Sequence, residues 1–270
     1  MNAVLYDVAL TAYIVAMVSA FGQLLGRREG LARFTRVMTE TGFVFHTVAL
    51  VVRGVELSRI PILTLPEAVS VVIWVTVLLE RWAERQYGVK MLAVFVLPVV
   101  VMLGLGLPTG LRTLTLANAA RSAWIWVHVS LALLGLAALV LNFAGAVMYL
   151  LQERQLKARR RRPGTLYYRL PSLETLDRLT YRTLTLGFPF LTAGLVLGAL
   201  WAPSAWGSLF AFDPLALFSI VMWVVYAIML SARMGGRGRG RRAAYFSIAG
   251  FAVLLLSLGA GVILQGRHGL

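Results

Sequence analysis

The chain is 270 residues long, 59% of them apolar and only 14% charged, with a mean hydropathy of +0.80. Soluble domains average about 45–50% apolar and about 25% charged residues, so this chain cannot cover itself with a polar surface and reads as an integral membrane protein. It carries 26 Lys+Arg against 11 Asp+Glu, a net charge of +15, and no cysteine. The lack of cysteine excludes disulfides, thiolate metal sites, a cysteine nucleophile and a CxxC redox pair.

A helix that crosses the hydrocarbon core needs roughly 20 apolar residues. Eight apolar segments occur along the chain: Val4–Leu25, Val37–Val52, Ala68–Leu79, Met91–Leu107, Ser122–Leu151, Leu184–Leu200, Pro214–Leu230 and Ala243–Leu264. They predict an all-α polytopic membrane protein with eight transmembrane helices, built as a single integral-membrane domain over residues 1–270. The first segment has no positive region before it, and Arg27 and Arg28 follow the apolar run, so it reads as a mature helix rather than a signal peptide. The third is short and is closed by Glu80 and Arg81. The fifth is long enough at about 1.5 Å per residue to outrun the bilayer, so its Gln152 end is expected to project into water. Residues 152–183 then read as a cytoplasmic basic loop. Within it Leu173, Leu176 and Leu179 recur at helical spacing between Glu174, Asp177 and Arg178, with Pro171 and Ser172 marking a start. This predicts a short amphipathic helix on the inner membrane surface. Residues 201–213, within WAPSAWGSLFAFDP, form an extracytoplasmic Trp-rich loop, and GGRGRGRR before the last segment is a flexible basic loop.

Allocating the charge by loop gives an orientation. The loops after segments one, three, five and seven hold 21 Lys+Arg, and the opposite side holds only Arg53, Arg59, Arg112, Arg121 and Arg267. Positive loops remain in the cytoplasm, so both termini are expected to be extracytoplasmic, in a multi-pass protein of the bacterial inner membrane. Arg159–Arg162 reads as an orientation signal in contact with anionic membrane lipid, not as a nucleic-acid site.

With this orientation the three histidines, His46, His128 and His268, all fall in the outer half. Trp124 lies four residues before His128, on the same helix face. The outer loop contributes Trp201, Trp206, Phe210, Phe212 and Asp213 and has no basic residue. Two imidazoles beside an aromatic, water-poor surface suit haem iron. Zinc is the rival, but it usually takes three or four ligands, and no thiolate and few carboxylates are at hand. Other readings stand beside these. The tryptophans fit an interfacial belt, a membrane histidine often bonds a neighbouring helix, and Asp213 and Pro214 fit the N-cap and N1 positions of a helix.

The same residues carry a family resemblance, running from about His46 to His268. WVHVSLALLGLAALVLNFAGAVMYLLQERQLK, LPSLETLDRLTYRTLTLGFPFLTAGLVLGALWA, WVVYAIMLSAR and GRRAA resemble segments of the CcsA/ResC/CcmC group of cytochrome c assembly proteins, especially its short HemX- and YpjD-like relatives. HTVALVVRG with PILTLPEA resembles the group's first histidine segment. WAPSAWGSLFAFDP resembles a worn form of its loop, W-x-x-x-x-W-G-x-x-W-x-W-D-P. The resemblance implies haem handling at the outer face. It assigns His128 and His268 to the two external haem-iron ligands and His46 to the first transmembrane histidine, and it leaves Trp201, Trp206, Gly207 and Asp213 as the loop's framework, with Trp124 beside them. It departs at Leu209–Phe212, where later tryptophans are replaced, and at Ser231, which stands where the second transmembrane histidine is expected. The function implied is binding haem and presenting it to apocytochrome c or to assembly partner proteins. Having no cysteine and no visible catalytic constellation, the chain would leave thioether formation to partners. Alternatives are a HemX-like regulator or scaffold of tetrapyrrole metabolism acting through the cytoplasmic segment, and a transport permease subunit.

Overall fold

The computed structural model describes residues 3–25, 29–89, 91–106, 123–158, 169–206, 214–236 and 238–263. Among them the secondary structure is entirely helical: α1 (Ala3–Leu25), α2 (Glu29–Leu57), α3 (Leu65–Tyr87), α4 (Leu92–Leu105), α5 (Ala123–Ala158), α6 (Leu173–Trp206), α7 (Pro214–Met234) and α8 (Arg241–Ile263). Each contains most or all of one of the eight apolar segments, and α2, α3 and α6 run well beyond theirs. Four of them, over Val4–Leu24, Trp124–Lys157, Leu173–Pro203 and Ala216–Met234, are long and apolar enough to cross a membrane. In α2 and α3 the apolar stretch is shorter than the helix, because charged turns are built onto one or both ends.

Side-chain pairing shows that α1 and α2, α2 and α3, α5 and α6, and α6 and α7 run antiparallel. Tyr13 of α1 meets His46 of α2, while Ser19, further along α1, bonds the Leu31 carbonyl near the start of α2. His46 and Arg36 of α2 meet Ser70 and Glu84 of α3. In the second half, His128 and Asn142 of α5 bond Gly194 and Thr180 of α6. Thr192 and Asp177 of α6 bond Trp223 and Arg233 of α7. Ser247 of α8 reaches Met229 of α7. The bundle therefore has one end carrying His128 and another, basic end carrying Arg81, Asp177 and Arg233.

Burial is organised around α5. A first core joins α1, α3 and α4 to Leu141, Ala144 and Met148 of α5 and to Leu176 and Leu179 of α6. A second joins α5 to α6, α7 and α8, with Phe143 and Phe251 stacked at 4.0 Å between centroids. A third, smaller core lies at the His128 end and includes Ile62, Val72, Ile125 and Leu133, with Trp126 and Trp201 packed against it.

Three expectations about the segments change. The helix expected on the membrane surface at 173–183 is formed, but it is the start of α6, which continues without a break to Trp206. Leu176 and Leu179 are fully buried in the first core rather than laid on lipid. Ser172 caps it, its Oγ accepting the Thr175 N–H at 3.2 Å. Gln152, expected in water, is 5% exposed, and α5 runs on to Ala158. Glu80 and Arg81 do not stop α3. Arg81 bridges Glu84 at 2.6 Å and Glu40 of α2 at 3.3 Å, and Arg36 reaches Glu84 at 3.1 Å, so these charges dock α3 on α2 and allow another two turns of helix.

The most extensive helix contact is between α5 and α6. It is made possible by glycine: a Cβ on Gly135 would lie 2.9 Å from the Leu191 backbone nitrogen and 3.2 Å from the Gly187 carbonyl oxygen. Backbone cannot move aside as a side-chain tip can. Gly135→Leu is therefore expected to destabilise the bundle by about 1–3 kcal/mol, the usual cost of overpacking. This would appear as a lowered thermal unfolding midpoint in detergent. Gly259→Ala, at a position with open space within 4 Å, should leave that midpoint unchanged.

Candidate functional site

The His128 end of α5 begins at Ala123, and His128 sits in the second turn of the helix. The imidazole is half-buried and faces α6. Its Nδ1 lies 2.6 Å from the carbonyl oxygen of Gly194. The ring rests against Gly198, where a Cβ would fall 2.6 Å from Cε1 and 2.9 Å from Nδ1. Nε2 makes no hydrogen bond among the described residues. One turn toward the end of α5, Trp124 is 61% exposed. Three residues beyond Gly198, Trp201 packs into the small core of Ile62, Ile125 and Leu133. The structure thus brings His128, Trp124 and Trp201 to the same end of the α5–α6 pair. Trp206 is the last residue of α6. His268 and Asp213 lie outside the described residues, as do Gly207 and Leu209–Phe212; Pro214 opens α7.

The position of α8 bears on His268. Phe251 of α8 stacks on Phe143 of α5, and Gly240, just before α8, lies against Tyr149 further along α5, so the two helices run antiparallel. From that stack, His128 is fifteen residues toward one end of the bundle, about 22 Å at helical rise. From the same stack α8 is described for twelve residues in the same direction, to Ile263, about 18 Å.

His46 is in a different setting. It is 1% exposed, in the core between α1, α2 and α3. Its Nε2 is 2.8 Å from Ser70 Oγ and its Nδ1 is 3.5 Å from Tyr13 Oη. The rings of Tyr6 and Tyr13 meet it edge-on at 5.6 and 6.0 Å. Both ring nitrogens therefore face protein partners, and the space around the ring is occupied by aromatic side chains. Ser231, on the exposed side of α7 near the basic end, is not part of this cluster.

Two features at the His128 end escape sequence reasoning. The first is Glu67. It is 5% exposed and organises the turn before α3. Its carboxylate accepts from the Leu63 and Thr64 N–H groups and from both terminal nitrogens, Nη1 and Nη2, of Arg59, while Thr64 Oγ1 accepts the Glu67 N–H in a capping box. The signal was present in the TLPE sequence, which has the Ser/Thr-x-x-Glu spacing with proline in the first turn. The second is a cavity of about 650 Å³ between α2, α3 and α5, bounded by Val51, Val55, Ile60, Trp74 and Leu134. Arg59 is its one charged lining residue, and that charge is held by Glu67. An open-sided cavity between three helices has no linear sequence signature. Among the described residues, no group of three or more His, Asp or Glu side chains is placed to hold a metal ion.

Known proteins share this chain's pattern over nearly its whole length. It is 27% identical over 286 residues to the cytochrome c biogenesis protein CcsA of Synechococcus sp. (strain RCC307), an alignment that spans 96% of this chain and 92% of that protein. It is 29% identical over 241 residues to CcsA of Guillardia theta, spanning 82% and 80% of the two chains. With CcsA of Parasynechococcus marenigrum (strain WH8102) it shares 31% identity over 247 residues, 82% of this chain and 81% of that one. The family model for the cytochrome C assembly protein matches residues 62–268, which begin at the turn organised by Glu67, include His128 and the α5–α6 seam, and end at His268. The chain is a membrane protein that belongs to the cytochrome c assembly family.

Proposed function

We propose that the chain crosses the bacterial inner membrane eight times with both termini outside, binds haem at the outer face through His128 and His268, and presents it to an apocytochrome or to a partner in cytochrome c assembly. The observation that carries this reading is His128, a half-buried imidazole that uses Nδ1 within the protein and leaves Nε2 free at the aromatic end of the bundle. The donor set fits haem. An imidazole nitrogen with an unshared pair is a normal axial ligand, and flat aromatic surface with restricted water suits the macrocycle. Bound haem would supply the iron that the imidazoles ligate and the porphyrin that an apocytochrome finally carries. The chain's own residues would hold and shield it: His128 from α5 with Trp124 and Trp201 at the same end of the bundle, Trp206 at the close of α6, and Asp213 and His268. Antiparallel packing of α8 on α5 supports pairing the two histidines, since both helices extend from the Phe143–Phe251 stack toward the same end.

His46 takes a different part in this reading. With both nitrogens turned to Ser70 and Tyr13 it acts as a polar clamp joining α1, α2 and α3, and the external pair provides the iron ligands. The eight-span topology is supported by the antiparallel order of the helices and by 21 of 26 basic residues falling on one side.

Three experiments test these statements. Protein purified from haem-replete cells is expected to show a Soret band that is lost in His128→Ala and in His268→Ala. A colourless protein that also takes up no haem in vitro would overturn the function. His46→Ala should instead keep the Soret band while losing about 2–3 kcal/mol of stability, as expected for a truncated buried side chain with hydrogen-bond partners. In a double-mutant cycle with Ser70→Ala, the combined loss should fall short of the sum by about 1 kcal/mol. Because the chain has no cysteine, single cysteines report topology directly. A membrane-impermeant maleimide should label Gly110→Cys and Gly269→Cys in intact cells, and Gly164→Cys only after the membrane is opened.

A further inference from the structure

We infer that the Gly194–Gly198 turn of α6 is the positioning element of the external site: it fixes the tautomer and the seat of His128 so that Nε2 is the nitrogen offered to iron. This rests on the haem reading above and assigns a role to two residues that carry no functional side chain.

The tautomer follows from chemistry. A backbone carbonyl oxygen can only accept a hydrogen bond, so the His128 nitrogen 2.6 Å from Gly194 O must carry the proton. In a neutral imidazole the other nitrogen then has the lone pair. That nitrogen is Nε2, which is unengaged among the described residues. The partner is a neutral carbonyl rather than a carboxylate, so the ring is oriented without a buried negative charge beside it. Partners of this kind commonly set the orientation and strength of histidine ligands.

The seat follows from sterics. Gly198 is one turn beyond Gly194 on the same face of α6, and its missing Cβ leaves the space that the imidazole fills. A methyl group there would lie 2.6 Å from Cε1, 2.9 Å from Nδ1 and 3.4 Å from Nε2. The ring cannot retreat deeper into the seam, because one turn below it the two backbones already touch: a Cβ on Gly194 would lie 3.1 Å from the Ala132 backbone nitrogen. A side chain at 198 therefore has to displace the imidazole and break its bond to Gly194. The same turn leads to Trp201, three residues further on and still within α6, so the 201–206 part of the expected loop is helical and one stretch of α6 seats the ligand and carries the first tryptophan.

Two measurements test the inference separately from the haem reading. In the first, Gly198→Ala, His128→Ala and the unsubstituted protein are purified, loaded with haem, and compared by haem content and by the ligand-field bands that report the axial ligand. Gly198→Ala should remain monodisperse but lose about 10–100-fold in haem affinity, the range found for outer-shell changes at metal-bound histidines, and its residual haem should show altered axial ligation. If haem binding depends on His128 but is unchanged in amount and spectrum by Gly198→Ala, the inference fails and the function stands. In the second, ring-nitrogen NMR of ¹⁵N-histidine-labelled protein without haem, assigned with His128→Ala, should show His128 protonated on Nδ1 and bare on Nε2. The opposite tautomer overturns the inference whether or not Gly198→Ala folds. If the unsubstituted protein binds no haem while its His128 is the Nδ1–H tautomer, the functional reading fails and the seat stands.

Discussion

The close approach of α5 and α6 is the constraint on which the rest of the molecule depends. In lipid there is no hydrophobic gain from pairing two apolar helices, so association relies on tight packing and on hydrogen bonds across the contact. This seam uses both along its length. Gly135 and Gly187 bring backbone against backbone at its middle. Toward the basic end, Asn142 donates from Nδ2 to the Thr180 carbonyl at 2.6 Å, and Gly145 admits the Thr180 methyl. At the other end the same closeness puts a carbonyl of α6 within reach of His128. The candidate ligand is therefore placed by the element that also unites the two halves of the core, since α5 supplies side chains to the α1–α4 cluster and to the α6–α8 cluster.

The charged residues divide between two tasks. Many at the basic end are exposed, and the proposed orientation rests on their number. Others form specific docks between helices. Arg233, with a side chain 2% exposed, reaches the Asp177 carboxylate at 2.6 Å, the Asp177 carbonyl and the Thr180 hydroxyl, and so joins α7 to the start of α6. Arg81 joins α3 to α2 through Glu40. A buried cation with several acceptors is stable where a lone one would not be. At the opposite end Arg59 is similarly absorbed by Glu67. Net charge alone describes the first task and hides the second.

This division explains what was legible in the sequence. All eight helices can be found from apolar runs, because a chain solvated by lipid must satisfy its backbone internally and helices do so. Their ends are less legible. The charges of Glu80 and Arg81 resemble a stop signal, yet partners on α2 keep the helix going. Leu173, Leu176 and Leu179 have the spacing of a surface helix, and the same spacing suits a helix buried on one side; only the neighbouring α5 decides. For the site, His128 and the tryptophans stand out by residue type. Gly194 and Gly198 do not, because their contribution is a backbone carbonyl and an absent side chain, and neither has a signature until another helix lies against it.

The two described histidines show how much the surrounding shell matters. His46 and His128 are both imidazoles on apolar helices, and composition treats them alike. His46 is enclosed by Tyr6, Tyr13 and Ser70, with a side chain turned toward each nitrogen. His128 meets a single carbonyl and the bare backbone of glycine, which engage one nitrogen and one edge of the ring and leave the other nitrogen available. A hydroxyl can donate or accept, so the partners of His46 adapt to either tautomer and use both nitrogens to hold helices together. A carbonyl cannot donate, so the partner of His128 permits one tautomer. The difference between a histidine that clamps and one that can ligate thus lies in the donor capacity and the volume of its neighbours.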